Sequence, residues 1–213
     1  MQGLLKLTWS RTAVDIRQGL PTPGVFPNLQ YLEVQRLLDT TDWLAGLGAL
    51  SKLECLKLRI DVRRQVTAAA PVQLPPLARL TSLRLEFDNA NDSRLPLADL
   101  PTLAELEVKS YGSVAIVSSG PATQLQHLTC LTSKLSADFS ALPALRSIGV
   151  QCRTQLDPAA SIAAATALTR LELLDCHVVG HNISSVHTLL RSLPPSVSCL
   201  HLGGEWSKET AAL

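Results

Sequence analysis

Aromatic side chains are scarce in this sequence. Phe, Trp and Tyr supply 4% of its 213 residues, so a core has to be built from leucine, valine and alanine. An excess of either charge is missing as well. The net charge is +1, too small for the long-range field by which a basic protein gathers nucleic acid or an acidic membrane. No run of about eighteen apolar residues occurs, so no membrane insertion is expected. The N-terminal MQGLLKLTWSRTAVD lacks the apolar stretch of a signal peptide. Position 2 is Gln2 rather than the glycine that myristoylation needs, and the last residues carry no prenylation box.

Disulfide and catalytic frameworks are absent too. The five cysteines, Cys55, Cys130, Cys152, Cys176 and Cys199, are odd in number, widely spread and never spaced C-x-x-C. That pattern suits reduced thiols in a cytoplasmic protein, and it outweighs two glycosylation triplets at Asn91 and Asn182. No G-x-S-x-G elbow is present. The segment GLGALSK at 46–52 has its glycines and lysine at the wrong spacing for a phosphate loop. Cys176, His177, His181 and His187 are residue types that bind zinc, but a structural thiol beside surface histidines accounts for them without a metal. His127 and His201 have no acid or nucleophile in register. No cofactor, metal, small-molecule substrate or enzyme activity is expected.

What the sequence has in abundance is leucine in a fixed pattern. LTRLELLDC, residues 168–176, places Leu168, Leu171 and Leu173 three and then two apart. A helix face needs gaps of three and four, and a half-buried strand needs strict alternation. The same spacing recurs at Leu29, Leu32, Val34; Leu53, Leu56, Leu58; Leu80, Leu83, Leu85; and Leu103, Leu106, Val108. It continues at Leu125, Leu128, Cys130; Leu145, Ile148, Val150; and Val197, Leu200, Leu202, with a first copy at Leu4, Leu7, Trp9. Nine copies thus begin near positions 4, 29, 53, 80, 103, 125, 145, 168 and 197, at steps of 20 to 29 residues. The alternating pair reads as a short strand with one buried face, and the earlier leucine enters the same core. A single copy cannot bury these side chains, whereas a stack of copies can. Each buried aliphatic side chain then contributes roughly 1.5–3 kcal/mol.

This pattern resembles the leucine-rich-repeat family, whose period is roughly 20–29 residues, and the resemblance covers about residues 4–205. It implies a single domain over 1–213, an α/β right-handed solenoid with a curved parallel sheet on its concave side. The family usually has Asn at the ninth position, bonding backbone as the chain leaves the strand. Here that position holds Thr12, Leu37, Asp61, Asp88, Tyr111, Ser133, Arg153, Cys176 and Glu205, so irregular turns are expected. On the convex side TDWLAGLGALSKL, DPAASIAAATAL and HNISSVHTLLRSL read as helical, with Asp157 and Pro158 as a cap and first-turn pair. RQGLPTPGVFPNL, APVQLPPLARL and GSVAIVSSGPATQL contain helix breakers and read as extended or 3-10 segments.

Residues between the leucines should face outward and tile the concave sheet. In order they are Tyr31, Glu33, Gln35 and Arg36; Cys55, Lys57 and Arg59; Ser82, Arg84, Glu86 and Phe87; then Glu105, Glu107 and Lys109. His127, Thr129 and Leu131, then Ser147, Gly149 and Gln151, make a bland stretch before Arg170, Glu172 and Asp175. Lys57, Arg59 and Arg84 form an expected basic patch beside the acidic Glu105 and Glu107, with Tyr31 and Phe87 adding aromatic area. The expected function is a non-enzymatic adaptor or scaffold that presents this sheet to a protein partner, nucleic acid being disfavoured. Two alternatives accompany it. FPNLQYLEV and LPALRSIGVQC resemble repeats of plant immune receptors, and the substrate receptor of a ubiquitin ligase would also fit, giving a sensor or specificity region. Ends without an obvious polar cap would instead suit a structural subunit docked in a large assembly.

Overall fold

A computed structural model describes residues 3–9, 25–37, 41–60, 74–87, 93–117, 124–151, 155–157, 159–177 and 189–205. Its strands in chain order are β1 (Lys6–Trp9), β2 (Tyr31–Leu37), β3 (Cys55–Ile60), β4 (Ser82–Phe87), β5 (Ser93–Pro96), β6 (Glu105–Ser110) and β7 (Ser113–Val117). There follow β8 (His127–Leu131), β9 (Lys134–Ala137), β10 (Ser147–Gln151), β11 (Gln155–Asp157), β12 (Arg170–His177) and β13 (Cys199–Glu205). Nine of them form one sheet in the order β1-β2-β3-β4-β6-β8-β10-β12-β13, every pairing parallel. The molecule is a parallel-sheet solenoid.

Each strand of this sheet starts two residues after its repeat residue, from Lys6 after Leu4 to Cys199 after Val197. The register therefore stacks like on like. Leu7, Leu32, Leu56, Leu83, Leu106, Leu128, Ile148, Leu171 and Leu200 form one cross-strand row. Trp9, Val34, Leu58, Leu85, Val108, Cys130, Val150, Leu173 and Leu202 form the next. From β2 to β12 both rows are buried, while Leu200 and Leu202 on the outermost β13 remain 44% and 42% exposed. Just before each strand, one carbonyl accepts two N–H groups from the following copy. Gln30 O takes the Glu54 and Cys55 amides at 2.8 and 3.0 Å, and Thr81 O takes those of Ala104 and Glu105, both at 2.9 Å. The same arrangement repeats at Leu5, Glu54, Ala104, Gln126, Arg146 and Thr169, so the copies are bonded together even where the ladder has yet to begin.

The other side is the expected mixture of short helices and extended segments, and four of the extended segments are ordered further into strands. Strands β11-β9-β7-β5 form a second parallel sheet of four. Its buried residues, Leu95, Val114, Ile116, Leu135 and Ala137, belong to the same hydrophobic cluster as the leucine rows. The alternation in Ser113–Val117, buried at Val114 and Ile116, is a strand signal that pairing with neighbours makes good. TDWLAGLGALSKL does contain a helix, α1 (Thr41–Gly46), followed by a 3-10 turn at Leu47–Ala49. DPAASIAAATAL is not an α-helix. Asp157 ends strand β11 and Ala159–Ala164 is 3-10. Of HNISSVHTLLRSL only residues from 189 are described, with a helical turn at 189–191; of RQGLPTPGVFPNL, only those from 25.

Two features explain how the corners close. Successive i→i+3 turns carry an apolar residue every third position up to the repeat leucine. Leu50 N bonds Leu47 O at 2.9 Å and Leu53 N bonds Leu50 O at 3.0 Å, and Leu97, Leu100 and Leu103 repeat this, as do Phe139, Leu142 and Leu145. All nine of these side chains are buried. At two described strand exits the ninth-position residue does not replace Asn: Tyr111 is 76% exposed and Ser133 is exposed. The preceding residue acts instead. Ser110 and Thr132 are buried, with Ser110 Oγ accepting from Gly112 N at 3.1 Å and Thr132 Oγ1 donating to Lys134 O at 3.3 Å. In β2 a register shift between Val34 and Leu37 brings Leu37 opposite Ile60, so this ninth residue fills the core.

Leu83 is 1% exposed at the centre of its row, and Leu5 is 52% exposed outside it. In urea unfolding, Leu83→Ala should cost about 2–5 kcal/mol and Leu5→Ala no more than about 0.5 kcal/mol. Burial pushes the Cys130 thiol up to about 12, whereas Cys199 is exposed. Alkylation near about pH 8, where the thiolate is the reactive form, should label Cys199 in the folded protein and Cys130 only after unfolding, as read by peptide mass mapping.

Candidate protein-interaction surface

Residues between the buried rows face outward, and the parallel register aligns them as well. One outward row runs Lys6, Tyr31, Cys55, Ser82, Glu105, His127, Ser147, Arg170, Cys199. The second runs Thr8, Glu33, Lys57, Arg84, Glu107, Thr129, Gly149, Glu172, His201. A third brings Arg59, Glu86, Lys109 and Leu131 side by side. Of the residues expected here, Tyr31, Glu33, Lys57, Arg59, Arg84, Glu86, Glu105, Glu107 and Lys109 occupy these rows. The side chain of Arg36 lies outside the described residues.

Phe87 does not belong to the face. It is 3% exposed and in register with Ile60 and Ser110, sharing the parity of Leu83 and Leu85. A strand alternates sides at every residue, so Glu86 and Phe87 cannot both point outward, and the aromatic contribution expected of Phe87 goes to the core. Of the zinc-type cluster, Cys176 and His177 lie in β12 with side chains outside the described residues, and His181 and His187 also lie outside them.

Two cations of the expected basic patch, Arg59 and Arg84, pair with carboxylates, while Lys57 has no ion pair among the described residues. Arg84 Nη1 lies 3.2 Å from Glu107 Oε2, Lys109 Nζ lies 3.3 Å from Glu86 Oε1, and Arg59 Nε reaches the same oxygen at 3.9 Å. Arg170 pairs with Glu172 along β12. Such partly exposed pairs are worth about 0.2–1 kcal/mol each. They orient the side chains more than they stabilise the sheet. Glu105, beside Ser82 and His127, takes no part in the described ion pairs.

At the β1–β3 end the chemistry centres on Tyr31. Its hydroxyl donates to Glu33 Oε2 at 2.6 Å, and Gln35 Nε2 donates to the other oxygen at 3.4 Å. Lys6 Nζ stands 4.5 Å from the ring centroid and Lys57 Nζ 5.5 Å, within reach of a cation–π attraction. The bond from Tyr31 holds the Glu33 carboxyl below the ordinary glutamate value, and the reciprocal effect raises Tyr31. The phenol oxygen beside its ammonium holds Lys57 above the ordinary lysine value. Lys6 was absent from the sequence-derived site, although carrying the outward parity into the first copy places it next to Tyr31. Between these groups lies an open groove of about 310 Å³, bounded by Glu33, Gln35, Lys57, Arg59, Arg84 and Glu86.

Across β8 and β10 the face carries smaller, mostly uncharged side chains, among them Thr129, Ser147 and Gly149. A Cβ added at Gly149 would lie 3.3 Å from Thr129 Oγ1 and 3.5 Å from Leu174 Cδ1, so Leu174 reaches over the glycine and the surface is nearly closed there. Among the described residues no group of three His, Cys, Asp or Glu side chains could hold a metal ion. No helix among them is long and apolar enough to cross a membrane.

Tyr31→Phe should return the Glu33 carboxyl toward its ordinary value of 4.5, read by NMR titration of its side-chain carbon. Because the folded carboxyl is the stronger acid, the pair's stabilisation is complete above 4.5 and lost as pH falls through the lower folded value. The Phe variant should lack that acid-dependent component of stability. A double-mutant cycle on Arg84 and Glu107 should give a coupling of about 0.2–1 kcal/mol that shrinks with added salt.

No protein-family profile matches the chain, and no curated protein sequence matches it. Among solved structures, an internalin from Listeria monocytogenes is similar at 21% sequence identity with a TM-score of 0.42. The match covers 84% of this chain and 55% of the internalin chain, so this chain spans little more than half of that protein's length.

Proposed function

We propose that this chain is a leucine-rich-repeat protein, one domain over 1–213, that recognises another protein through the outward face of its nine-stranded sheet. The observation that carries this reading is the ordered polar lattice on that face. Arg84–Glu107, Arg59–Glu86–Lys109 and Tyr31–Glu33 tie side chains together across or along strands, so little side-chain freedom is left to lose on association. Nine strands at about 4.8 Å spacing span roughly 40 Å, a width suited to a standard protein interface. The groove opens on the outward face and is bounded by charged side chains, where a partner's surface side chain can reach it. The role is that of a non-enzymatic adaptor or scaffold, with specificity set by the charge rows.

Capture of partners with the purified chain as bait tests this. Reversing Arg84 alone would set two carboxylates beside each other, so the informative variant is the swap Arg84→Glu/Glu107→Arg, which keeps an ion pair and exchanges its poles. A protein retained by the wild type, and bound about tenfold or more weakly by the swap at unchanged thermal stability, is the expected result. Equal retention of every partner by both forms would remove the outward face as the recognition site.

A further inference from the structure

We propose that the groove floor between Lys57 and Arg84 seats an acidic side chain, aspartate or glutamate, from an extended segment of a partner protein. This rests on the protein-binding reading above and names the chemistry of what is bound. Lys57 and Arg84 are register partners on adjacent strands, about 4.8 Å apart along the sheet. Like charges so placed repel one another. Both flanking strands relieve only part of that. Arg84, itself in the groove wall, pairs with Glu107 on β6, 3.2 Å distant. Lys57 rests against the Tyr31 ring and, among the described residues, has no carboxylate within ion-pair distance.

The carboxylates already in the groove are engaged. Glu33 accepts from Tyr31 and Gln35, and Glu86 is shared by Lys109 and Arg59. Glu33 keeps its charge and acts on both Lys6 and Lys57, yet three carboxylates, Glu33, Glu86 and Glu107, face five cations, Lys6, Lys57, Arg59, Arg84 and Lys109. A second ammonium, Lys6, stands at the same ring and likewise has no ion pair among the described residues. The site therefore offers a positive surplus, held in place by an aromatic ring and open to solvent. A carboxylate placed there would bridge Lys57 and Arg84 with charge-assisted hydrogen bonds. A nucleic acid fits less well, because its evenly spaced phosphates would meet Glu33, Glu86 and Glu107 on either side of the cations.

A fluorescein-labelled decapeptide of alternating Asp and Ser, titrated into the full chain and followed by anisotropy, tests the proposal. A Lys–Ser decapeptide and a ten-base oligo-dT serve as comparisons. The Asp peptide should bind saturably and the Lys peptide should not. Lys57→Glu should weaken the Asp peptide by about tenfold or more, and Lys57→Arg should largely keep it. Lys52→Glu makes the same change in net charge at Lys52, which bonds Asn28 away from the groove, and should leave binding unchanged. Circular dichroism must show all variants folded. No saturable binding of the Asp peptide, or an equal loss in Lys52→Glu, overturns the acidic-side-chain site. Tighter binding of the oligo-dT that Lys57→Glu abolishes also overturns it and assigns the groove to nucleic acid. If the peptide fails while the Arg84/Glu107 swap still discriminates a captured protein, recognition by the sheet stands and only the acidic-side-chain site falls.

Discussion

The structure depends on one constraint: a copy can complete its hydrogen bonds and bury its leucines only against the copies on either side. The carbonyl before each strand shows it most directly, since it accepts two amides from the next copy. With that bond made, the two strands have no freedom to slip, and parallel pairing carries the same alignment forward. A shift by a single residue would turn an entire leucine row to solvent. Stability in such a stack is a sum over neighbouring interfaces, which is why nearly every strand residue on the inner face is leucine or a close substitute.

The same register that stacks leucines also stacks charges. Whatever stands between the leucines of one copy lies beside its counterpart in the next. Where those counterparts differ in sign they pair, as Arg84 does with Glu107 and Glu86 with Lys109. Where they agree, as Lys57 and Arg84 do, the repulsion is met by an aromatic ring and by a carboxylate one strand further on. The outer face is therefore a rigid pattern of charge inherited from the core's geometry. Across β8 and β10, around Thr129 and Gly149, the face is smaller and mostly uncharged, and charge returns on β12 with Arg170 and Glu172.

Closing each coil demanded more variety than repeating it. Among the described residues the returns use a second-sheet strand, a short helix, a 3-10 turn or a strand followed by such a turn, and most reach the next strand by a step of three residues. Buried Ser110 and Thr132 satisfy backbone at two of the exits, where a buried N–H or C=O without a partner would be costly.

The architecture was legible in the sequence because burial imposes a period. Leu-x-x-Leu-x-Leu, repeated nine times, determines the strands, their parallel order and their register, since only stacking can remove those side chains from water. The further apolar positions at Leu47 and Leu50, or Phe139 and Leu142, were readable by the same rule three residues apart. Charge identity on the outer face was readable too, and with it Tyr31, Lys57 and Arg84. Tertiary structure alone decided the rest. Phe87 turned inward because strand parity outranks its place beside Glu86, and Leu37 joined the core through a bulge that no spacing announces. Arg59 and Arg84 of the expected basic patch went into ion pairs, because distances between side chains on different copies are set by the sheet and are invisible along the chain. The second sheet formed for the same reason: short segments such as Ser113–Val117 and Lys134–Ala137 are too brief to declare a structure by themselves, and they become strands only when a neighbour supplies the hydrogen bonds.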